Sequence, residues 1–235
     1  MAIKKVTLPD GTNVVIDEWL HYPLFSTIEI GSNGISGDAA NLRAFSYVQG
    51  QRVPATTNVP VPNRLADARD TNMVKRGGMN YDEAFILYAI TYETFALSDV
   101  ALAEEENYTA ITAIRPIFTA ENLRRLQRDL MVELIVGAQQ KKPQFRAPFS
   151  FLGQSVGAES WSTPLFTGNF VVNLSTGTAG TLDSRNQRRL ELPIYIESQQ
   201  VAFLRVFSPV GSIEGMDQSV RLRFYWDGLK RRPVG

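Results

Sequence analysis

Apolar and polar residues alternate along several short segments of the chain, a pattern typical of half-buried β-strands. The clearest case is SVRLRFYWDG (219–228), where Val, Leu, Phe and Trp alternate with Arg, Arg and Tyr. Similar apolar runs are NFVVNLS (169–175), RLELPIYIES (189–198) and QVAFLRVFS (200–208). Because Gly- and Ser-rich turns separate these runs, the last third of the chain predicts a sandwich or barrel of antiparallel strands.

Strand patterns also occur earlier in the chain. IKKVTLPDGTNVVID (3–17) places PDG between two β-rich runs and predicts a hairpin with Gly11 at positive φ, and FSTIEIG (25–31) predicts a short strand. AFILYAITYETFAL (84–97) is apolar on both faces and rich in β-branched and aromatic residues, so we predict a strand buried on both sides. Pro193 has no backbone N–H to donate, so we expect the run 189–198 to lie at a sheet edge or to contain a bulge.

One segment has helical rather than strand periodicity. In TAENLRRLQRDLMVELIVGAQQKK (119–142), apolar residues recur at three- and four-residue spacing after Thr119, a good N-cap, and Gly137 ends the pattern. We therefore predict a prominent helix over about 119–137. The preceding run TAITAIRPIF (109–118) predicts a strand that pairs with 84–97.

Residues 50–78 differ from the rest in composition. This segment carries three prolines and scattered charge without an apolar period, so it is a poor central strand. We expect an extended N-terminal arm or long loop. The predicted organisation is thus a hairpin, strands and the arm over 1–80, followed by a β-sandwich over 81–235.

Composition narrows the function only slightly. Lys and Arg together number 24, as do Asp and Glu, so no global field attracts the chain to nucleic acid or membranes. The absence of Cys excludes disulfides and thiolate chemistry. No apolar run has the length of a secretion signal or a membrane span, so we expect no transmembrane segment.

The catalytic candidates are weak. His21 is the single histidine, and we expect a packed or surface imidazole. Ser155 in GQSVG matches the nucleophile elbow, but the following AESWSTP is a poor helix and no histidine lies downstream. The acidic run 104–106 near Asp99 lacks the alternation of a calcium loop. We predict no enzyme activity, no cofactor and no metal; a hydrolase using Ser155, or Glu191 and Glu197, stays as an alternative.

Two small basic groups are the candidate contact residues for a polyanion or for a neighbouring subunit. One group lies in and after a Gly-rich turn and the other near the end of the sequence. They are Arg185, Arg188 and Arg189, and Lys230, Arg231 and Arg232. Either group can contact a genome or lipid headgroups, or form salt bridges between subunits.

The order of elements after residue 84, with FRAPFSFLGQSVG, LELPIYIESQQVAFLRVF and VRLRFYWDGLKRRPV, resembles the jelly-roll capsid proteins of tailless icosahedral bacterial viruses. The resemblance implies a mainly β, antiparallel jelly-roll sandwich with one prominent helix and an extended N-terminal arm. It implies a capsid or capsid-associated subunit that self-assembles into an icosahedral shell with copies of itself and other virion proteins. The expected location is the virion, assembled in the host cytoplasm. A compact double jelly roll over 1–235 is the structural alternative, although we count fewer strands than it needs.

The second functional hypothesis is a β-sandwich module that binds a carbohydrate or a receptor on a viral or bacterial surface. Exposed aromatic rings can form a stacking platform for such a ligand. The candidate rings are Trp161, Tyr195, Tyr225 and Trp226, although Trp226 continues an apolar alternation that favours core packing.

Overall fold

A computed structural model gives the fold and is mainly β. It describes residues 5–7, 11, 13–15, 19–31, 34–35, 42–56, 59, 61–97, 120–137, 143–154, 165–167, 170–172, 189–211, 213 and 219–231. The strands are β1 (Lys5–Thr7), β2 (Asn13–Val15), β3 (Trp19–His21), β4 (Leu24–Ile30), β5 (Arg43–Ala44), β6 (Phe85–Leu97), β7 (Met131–Val136), β8 (Phe145–Pro148), β9 (Gly153–Gln154), β10 (Leu165–Thr167), β11 (Phe170–Val172), β12 (Arg189–Ile196), β13 (Ala202–Phe207) and β14 (Ser219–Arg231). Helix α1 spans Ala120–Asp129, and a 3₁₀ helix spans Phe149–Phe151.

The large sheet is built around β14. On one side β14 pairs with β6, which continues to β12. On the other side it pairs successively with β3 and β4, which are separated by Tyr22 and Pro23. All these pairings are antiparallel, while the two-residue β9 is parallel to β6. The small sheet has the order β5-β13-β7-β8 and is antiparallel throughout.

One hydrophobic core lies between the two sheets. It combines large-sheet residues such as Leu222 and Phe224 with small-sheet residues such as Leu134 and Leu204. Trp226 is fully buried and stacks on Phe45 with ring centroids 3.9 Å apart. The arrangement is a β-sandwich, because each sheet buries one face against the other.

Most strand predictions are confirmed. The 3–17 segment forms the antiparallel β1–β2 hairpin with Gly11 at φ +84°. β6 is a strand whose residues 85–94 are buried or half-buried on both faces. β12 lies at the sheet edge, and its register shifts between Arg189 and Ile194, around Pro193. The predicted strand 109–118 lies outside the described residues. The mainly β, antiparallel architecture is confirmed, while the jelly-roll topology, single or double, stays a prediction.

The prediction of a helix over about 119–137 is wrong in its second half. Helix α1 ends at Asp129, and residues 131–136 form strand β7. Leu126, Leu130 and Leu134 fit a helical period, but Leu130, Val132 and Leu134 also fit a strand period of two. Pairing of β7 with β13 and β8 buries Val132 and Leu134 in the core, and this tertiary pairing decides the conformation.

The described residues of 50–78 form no helix or strand of their own and lie against β4. This segment and Tyr47 cover the edge of β4 that faces away from β14. The Glu29 amide donates to the carbonyl of Pro54 at 2.9 Å, and the Thr56 amide donates to the carbonyl of Glu29 at 3.0 Å. The segment therefore closes a sheet edge that would otherwise be open to pairing with another chain.

A buried charge network fixes the same segment to the outer face of the large sheet. Arg64 forms two hydrogen bonds of 2.7 Å with Asp70 and also bonds Glu29. Arg221 bonds the same Glu29 oxygen at 3.0 Å. Asp70 and Glu29 are almost fully buried, so their charges require these guanidinium partners.

Candidate interaction surface

The outer face of the large sheet differs between its two ends. Along β14, residues 221, 223, 225, 227, 229 and 231 point away from the core, since residues 220, 222, 224 and 226 are buried in it. At the β4 end, the segment 50–78 covers this face through Arg64 and its partners. At the β3 end, an apolar cluster occupies the face and part of it is exposed.

We call this cluster the aromatic face. Its members, defined by shared position on the outer side of β3, β6, β14 and β12, are Trp19, Ile86, Tyr88, Tyr195 and Leu229. Tyr195, Ile86, Leu229 and His21 form one cross-strand row. Ile86 is 3% exposed beneath its neighbours, whereas Tyr195 is 47% exposed. The ring centroids of Trp19 and Tyr195 lie 6.4 Å apart with the planes inclined by 52°.

A β-bulge creates the aromatic face. Asp227 pairs with Ala89 but Gly228 pairs with Leu87, so Tyr88 is the extra residue of β6. Beyond the bulge the alternation of β6 changes phase, which turns Ile86 outward although Ile90 and Tyr92 point into the core. A Cβ atom at Gly228 would lie 2.0 Å from the carbonyl oxygen of Ile86. Only glycine fits this close approach of the two strands.

Charged and polar groups surround the aromatic face. His21 Nε2 lies 2.5 Å from Asp227 Oδ1, and the imidazole is largely exposed. On the outer face Arg231 pairs with Trp19, whereas Lys230 points to the opposite face of the sheet, where it forms a 2.8 Å ion pair with Glu83 and lies over the ring of Tyr22. The rim thus carries charges of both signs beside an apolar centre, as protein interfaces do.

Three of the six basic residues predicted as contacts are brought to this end of the sheet. Arg189 is exposed at the start of β12, opposite Ala89. Arg231 pairs with Trp19, while Lys230 is held by Glu83. Arg185, Arg188 and Arg232 lie outside the described residues.

Among the described aromatic residues predicted as a stacking platform, Tyr195 and Tyr225 point to the outer face of the large sheet, whereas Trp226 points into the core. Trp226 is fully buried, so the hypothesis that it contributes to such a platform is wrong. Tyr225 is half-buried and donates a 2.5 Å hydrogen bond to Glu93; burial, then this carboxylate, raises the pKa of its phenol. Tyr195 is exposed as the hypothesis required, and Trp161 lies outside the described residues.

The catalytic candidates are not assembled by the described residues. Ser155, the acidic run 104–106 and Asp99 lie outside them. Glu191 lies on β12 and Glu197 just beyond its end, both on the exposed edge of the large sheet. The described part of the chain contains no group of three metal-ligating side chains, and none of its helices is long and apolar enough to span a bilayer.

Sequence reasoning missed Trp19, Tyr88 and Leu229. The only local signal was the clustering of Trp19 with His21 and Tyr22 in EWLHYP. The bulge at Tyr88 has no sequence mark apart from Gly228 on the partner strand. Comparison of the chain with protein families, curated proteins and solved structures found no match.

Proposed function

We propose that this chain is the structural subunit of a virus shell, a jelly-roll-type sandwich that self-assembles by burying its aromatic face against a second copy. The exposed, aromatic end of the outer sheet face is the observation that supports this most directly. The partners are other copies and other virion proteins, and the location is the virion, assembled in the host cytoplasm. The proposal gives no residue a catalytic role.

The aromatic face has the composition of an interface centre. Tyr and Trp are enriched at interface centres because they bury a large area and lose few rotamers. Here Trp19 and Leu229 pack against the buried Ile86, and the ring of Tyr195 contacts the ring of Trp19.

The charge distribution also supports assembly from many copies. Equal numbers of acidic and basic residues, 24 of each, avoid long-range repulsion between subunits. The rim presents Arg189 and Arg231 as well as Asp227, so a neighbour with the same surface offers both signs of charge. Such a rim favours correct register between copies more than it adds affinity.

Replacement of Tyr195 by Glu tests the proposal. The variant places a charge at the centre of the buried area, so we expect association to require at least about tenfold higher concentration, which is about 1.4 kcal/mol. Sedimentation velocity across a concentration series measures the shift, and electron microscopy shows whether particles form. Val210→Glu is the matched control, since Val210 is 71% exposed in a turn outside the aromatic face.

Two outcomes would overturn the proposal. One is a wild-type protein that stays monomeric at every concentration and forms no particles. The other is assembly that Tyr195→Glu and Val210→Glu weaken equally, because the aromatic face would then have no special part in it.

The inclined pair of Trp19 and Tyr195 also supports a second candidate, a module that binds carbohydrate. Two neighbouring rings with polar groups beside them, here His21 and Asp227, suit a sugar ring that stacks through its C–H face. Glycan-array binding by a monomeric protein, lost in both Trp19→Ala and Tyr195→Ala, would favour this candidate. Concentration-dependent particles without glycan binding would favour the shell subunit.

A further inference from the structure

The outer face of the small sheet carries a row of arginines that no sequence pattern marked. In register across the four strands lie Arg43 of β5, Arg205 of β13, Glu133 of β7 and Arg146 of β8. Neighbouring strands are about 4.8 Å apart, so the row is about 14 Å long. Among the residues of this row, three side chains are basic and one is acidic.

Glu133 is the anchor of this arginine row. Its side chain is almost fully buried, and its two carboxylate oxygens bind different arginines. Oε2 accepts a hydrogen bond from Arg205 Nη2, and Oε1 lies 3.0 Å from Arg146 Nε. Two guanidinium groups therefore share one carboxylate, and this part of the row keeps a net positive charge.

Aromatic rings hold the guanidinium groups in place. Arg205 and Arg146 lie over the ring of Phe207, with Cζ 5.2 and 5.5 Å from the centroid. Arg43 lies over Phe203 at 4.8 Å. Cation–π contact of this kind restricts the side chains before any ligand arrives, which lowers the entropy lost on binding.

The anchored arginines retain hydrogen-bond donors for a ligand. Arg146 contacts Glu133 through Nε, which is one of the three nitrogens of a guanidinium group with five N–H donors. Its side chain is 58% exposed, and that of Arg205 is 36% exposed. A guanidinium group presents its terminal donors in a fork that matches two oxygens of a phosphate.

We propose that this arginine row binds the phosphodiester backbone of a single-stranded nucleic acid without base preference. A line of anchored guanidinium groups across a sheet face is complementary to a linear chain of phosphates, whereas a lipid surface presents headgroups in two dimensions. The binding is electrostatic and therefore decreases as salt concentration rises. This inference goes beyond the shell role and does not depend on it.

Fluorescence anisotropy of a labelled oligothymidylate with the full chain tests the inference. We expect the wild type to bind with an affinity that decreases steeply between about 50 and 200 mM salt. Arg146→Gln should weaken binding and reduce the slope of log affinity against log salt by about one, since one phosphate contact is lost. Arg146→Lys keeps the charge and should retain most of the slope.

Arg69→Gln is the matched control. Arg69 is 80% exposed and paired with Asp67 on the segment that covers β4, distant in the sequence from the small sheet. It should leave both affinity and slope unchanged. Glu133 keeps Arg205 in the Arg146→Gln variant, so a far-ultraviolet CD spectrum and unfolding midpoint like those of wild type are expected.

Three results would overturn the inference. They are no binding of the oligonucleotide at low salt, binding that Arg146→Gln and Arg69→Gln alter equally, and binding only to vesicles of phosphatidylcholine with phosphatidylglycerol. Because Tyr195→Glu tests self-assembly and Arg146→Gln tests nucleic-acid binding, failure of one proposal is distinguishable from failure of the other.

Discussion

Asp70 and Glu29 are almost fully buried carboxylates, and Arg64 is the residue that bonds both, with Arg221 as a second partner of Glu29. Its hydrogen bonds with Asp70, together with those to Glu29, raise the pKa of the guanidinium further above its usual value despite partial burial. Arg64 is therefore charged at every pH at which the protein folds. The pair of Arg64 and Glu29 joins the segment 50–78 to β4, because a segment displaced from β4 would leave the buried Glu29 carboxylate with Arg221 alone.

Replacement of Arg64 by Met should destabilise the protein strongly. The change leaves Asp70 without its guanidinium partner and Glu29 with only Arg221, so we expect a loss of about 3–5 kcal/mol in the free energy of unfolding. Urea unfolding monitored by CD measures it. Arg69→Met is the control, because Arg69 is 80% exposed whereas Arg64 is 21% exposed, and surface pairs contribute about 0–1 kcal/mol. Equal effects of the two substitutions would contradict the argument.

Gly228 illustrates how a single residue can shape a surface. The bulge needs close contact between β14 and β6, and Gly228→Ala would place a Cβ atom 2.0 Å from Ile86 O and 2.8 Å from the Phe85 ring. We expect a destabilisation of about 1–3 kcal/mol or more from overpacking. It should be accompanied by a change in the near-ultraviolet CD signal, since Trp19 and Tyr88 pack on Ile86.

Gly50→Ala is a useful comparison for this substitution. Gly50 has φ +80° but nothing within 4 Å of its added Cβ, so only backbone strain of about 1 kcal/mol is expected. If both alanine variants show the same stability and the same aromatic CD signal, the steric explanation of the bulge is wrong.

Strand β4 is protected along the edge that faces away from β14. The Tyr47 hydroxyl donates to the carbonyl of Thr27 at 2.5 Å and accepts from the Thr27 amide at 3.0 Å. This side chain therefore satisfies both backbone groups that a neighbouring strand would otherwise pair with. Further along, the Phe25 amide donates to Asn72 Oδ1 at 2.8 Å. The opposite edge is formed by β12, where Pro193 and a register shift interrupt regular pairing. Both devices disfavour uncontrolled strand addition.

Tyr47 should make the protein sensitive to alkaline pH. Burial raises the pKa of its phenol to about 12, above the usual value of 10.0. As the pH rises, the Tyr47 phenol therefore loses its proton at a higher pH in the folded state than in the unfolded state. Stability is fully present below about pH 10 and decreases between pH 10 and 12, by at most about 1.4 kcal/mol per pH unit.

Urea unfolding at pH 8, 10.5 and 11.5, compared with Tyr47→Phe, measures this contribution. The variant leaves the Thr27 backbone groups unpaired and should lose about 1–3 kcal/mol at pH 8. Between about pH 10 and 12, however, its stability should decrease less steeply than that of wild type. The variant keeps some alkaline sensitivity through Tyr225, whose pKa is also raised. Parallel curves for the two proteins would refute the role of Tyr47.

In the whole molecule, the two sheets present different outer faces. The outer face of the large sheet is covered by the segment 50–78 at the β4 end and carries the aromatic face at the β3 end. The outer face of the small sheet carries the arginine row. One core between the sheets holds both surfaces in place. An apolar contact surface and a cationic one on opposite layers of a sandwich suit a subunit that contacts its neighbours and a polyanion at the same time.

Rising salt concentration should weaken nucleic-acid binding but not self-association. Between low and high salt, oligonucleotide binding through the arginine row should be lost, because released counterions drive it. Self-association through the aromatic face should persist, since apolar burial is not screened. Sedimentation of the protein with labelled oligonucleotide across a salt series checks both at once. Simultaneous loss of particles and of bound oligonucleotide would show that assembly itself is electrostatic.

Local pattern was sufficient for the mainly β class and for most of the long strands. The alternation in 219–228 and the doubly apolar run 84–97 depend on side-chain period and β-propensity, which are properties of consecutive residues. The hairpin over 3–17 and the edge position of 189–198 also followed from local chemistry, through Gly11 and Pro193. For the candidate contacts, the sequence indicated Arg189, Lys230 and Arg231 but not their surroundings.

Tertiary structure decided the features that depend on residues distant in sequence. Residues 131–136 fit both a helix and a strand until β13 and β8 supplied partners. The segment 50–78 is held on β4 by the pair of Arg64 with Glu29 and by backbone hydrogen bonds between Glu29 and both Pro54 and Thr56. The bulge at Tyr88 and the arginine row each arise from strand register, which no short stretch of sequence encodes. Sequence pattern therefore determined most of the strands, while pairing and burial decided the conformation of 131–136 and determined which side chains meet, because contact energy is shared between residues far apart along the chain.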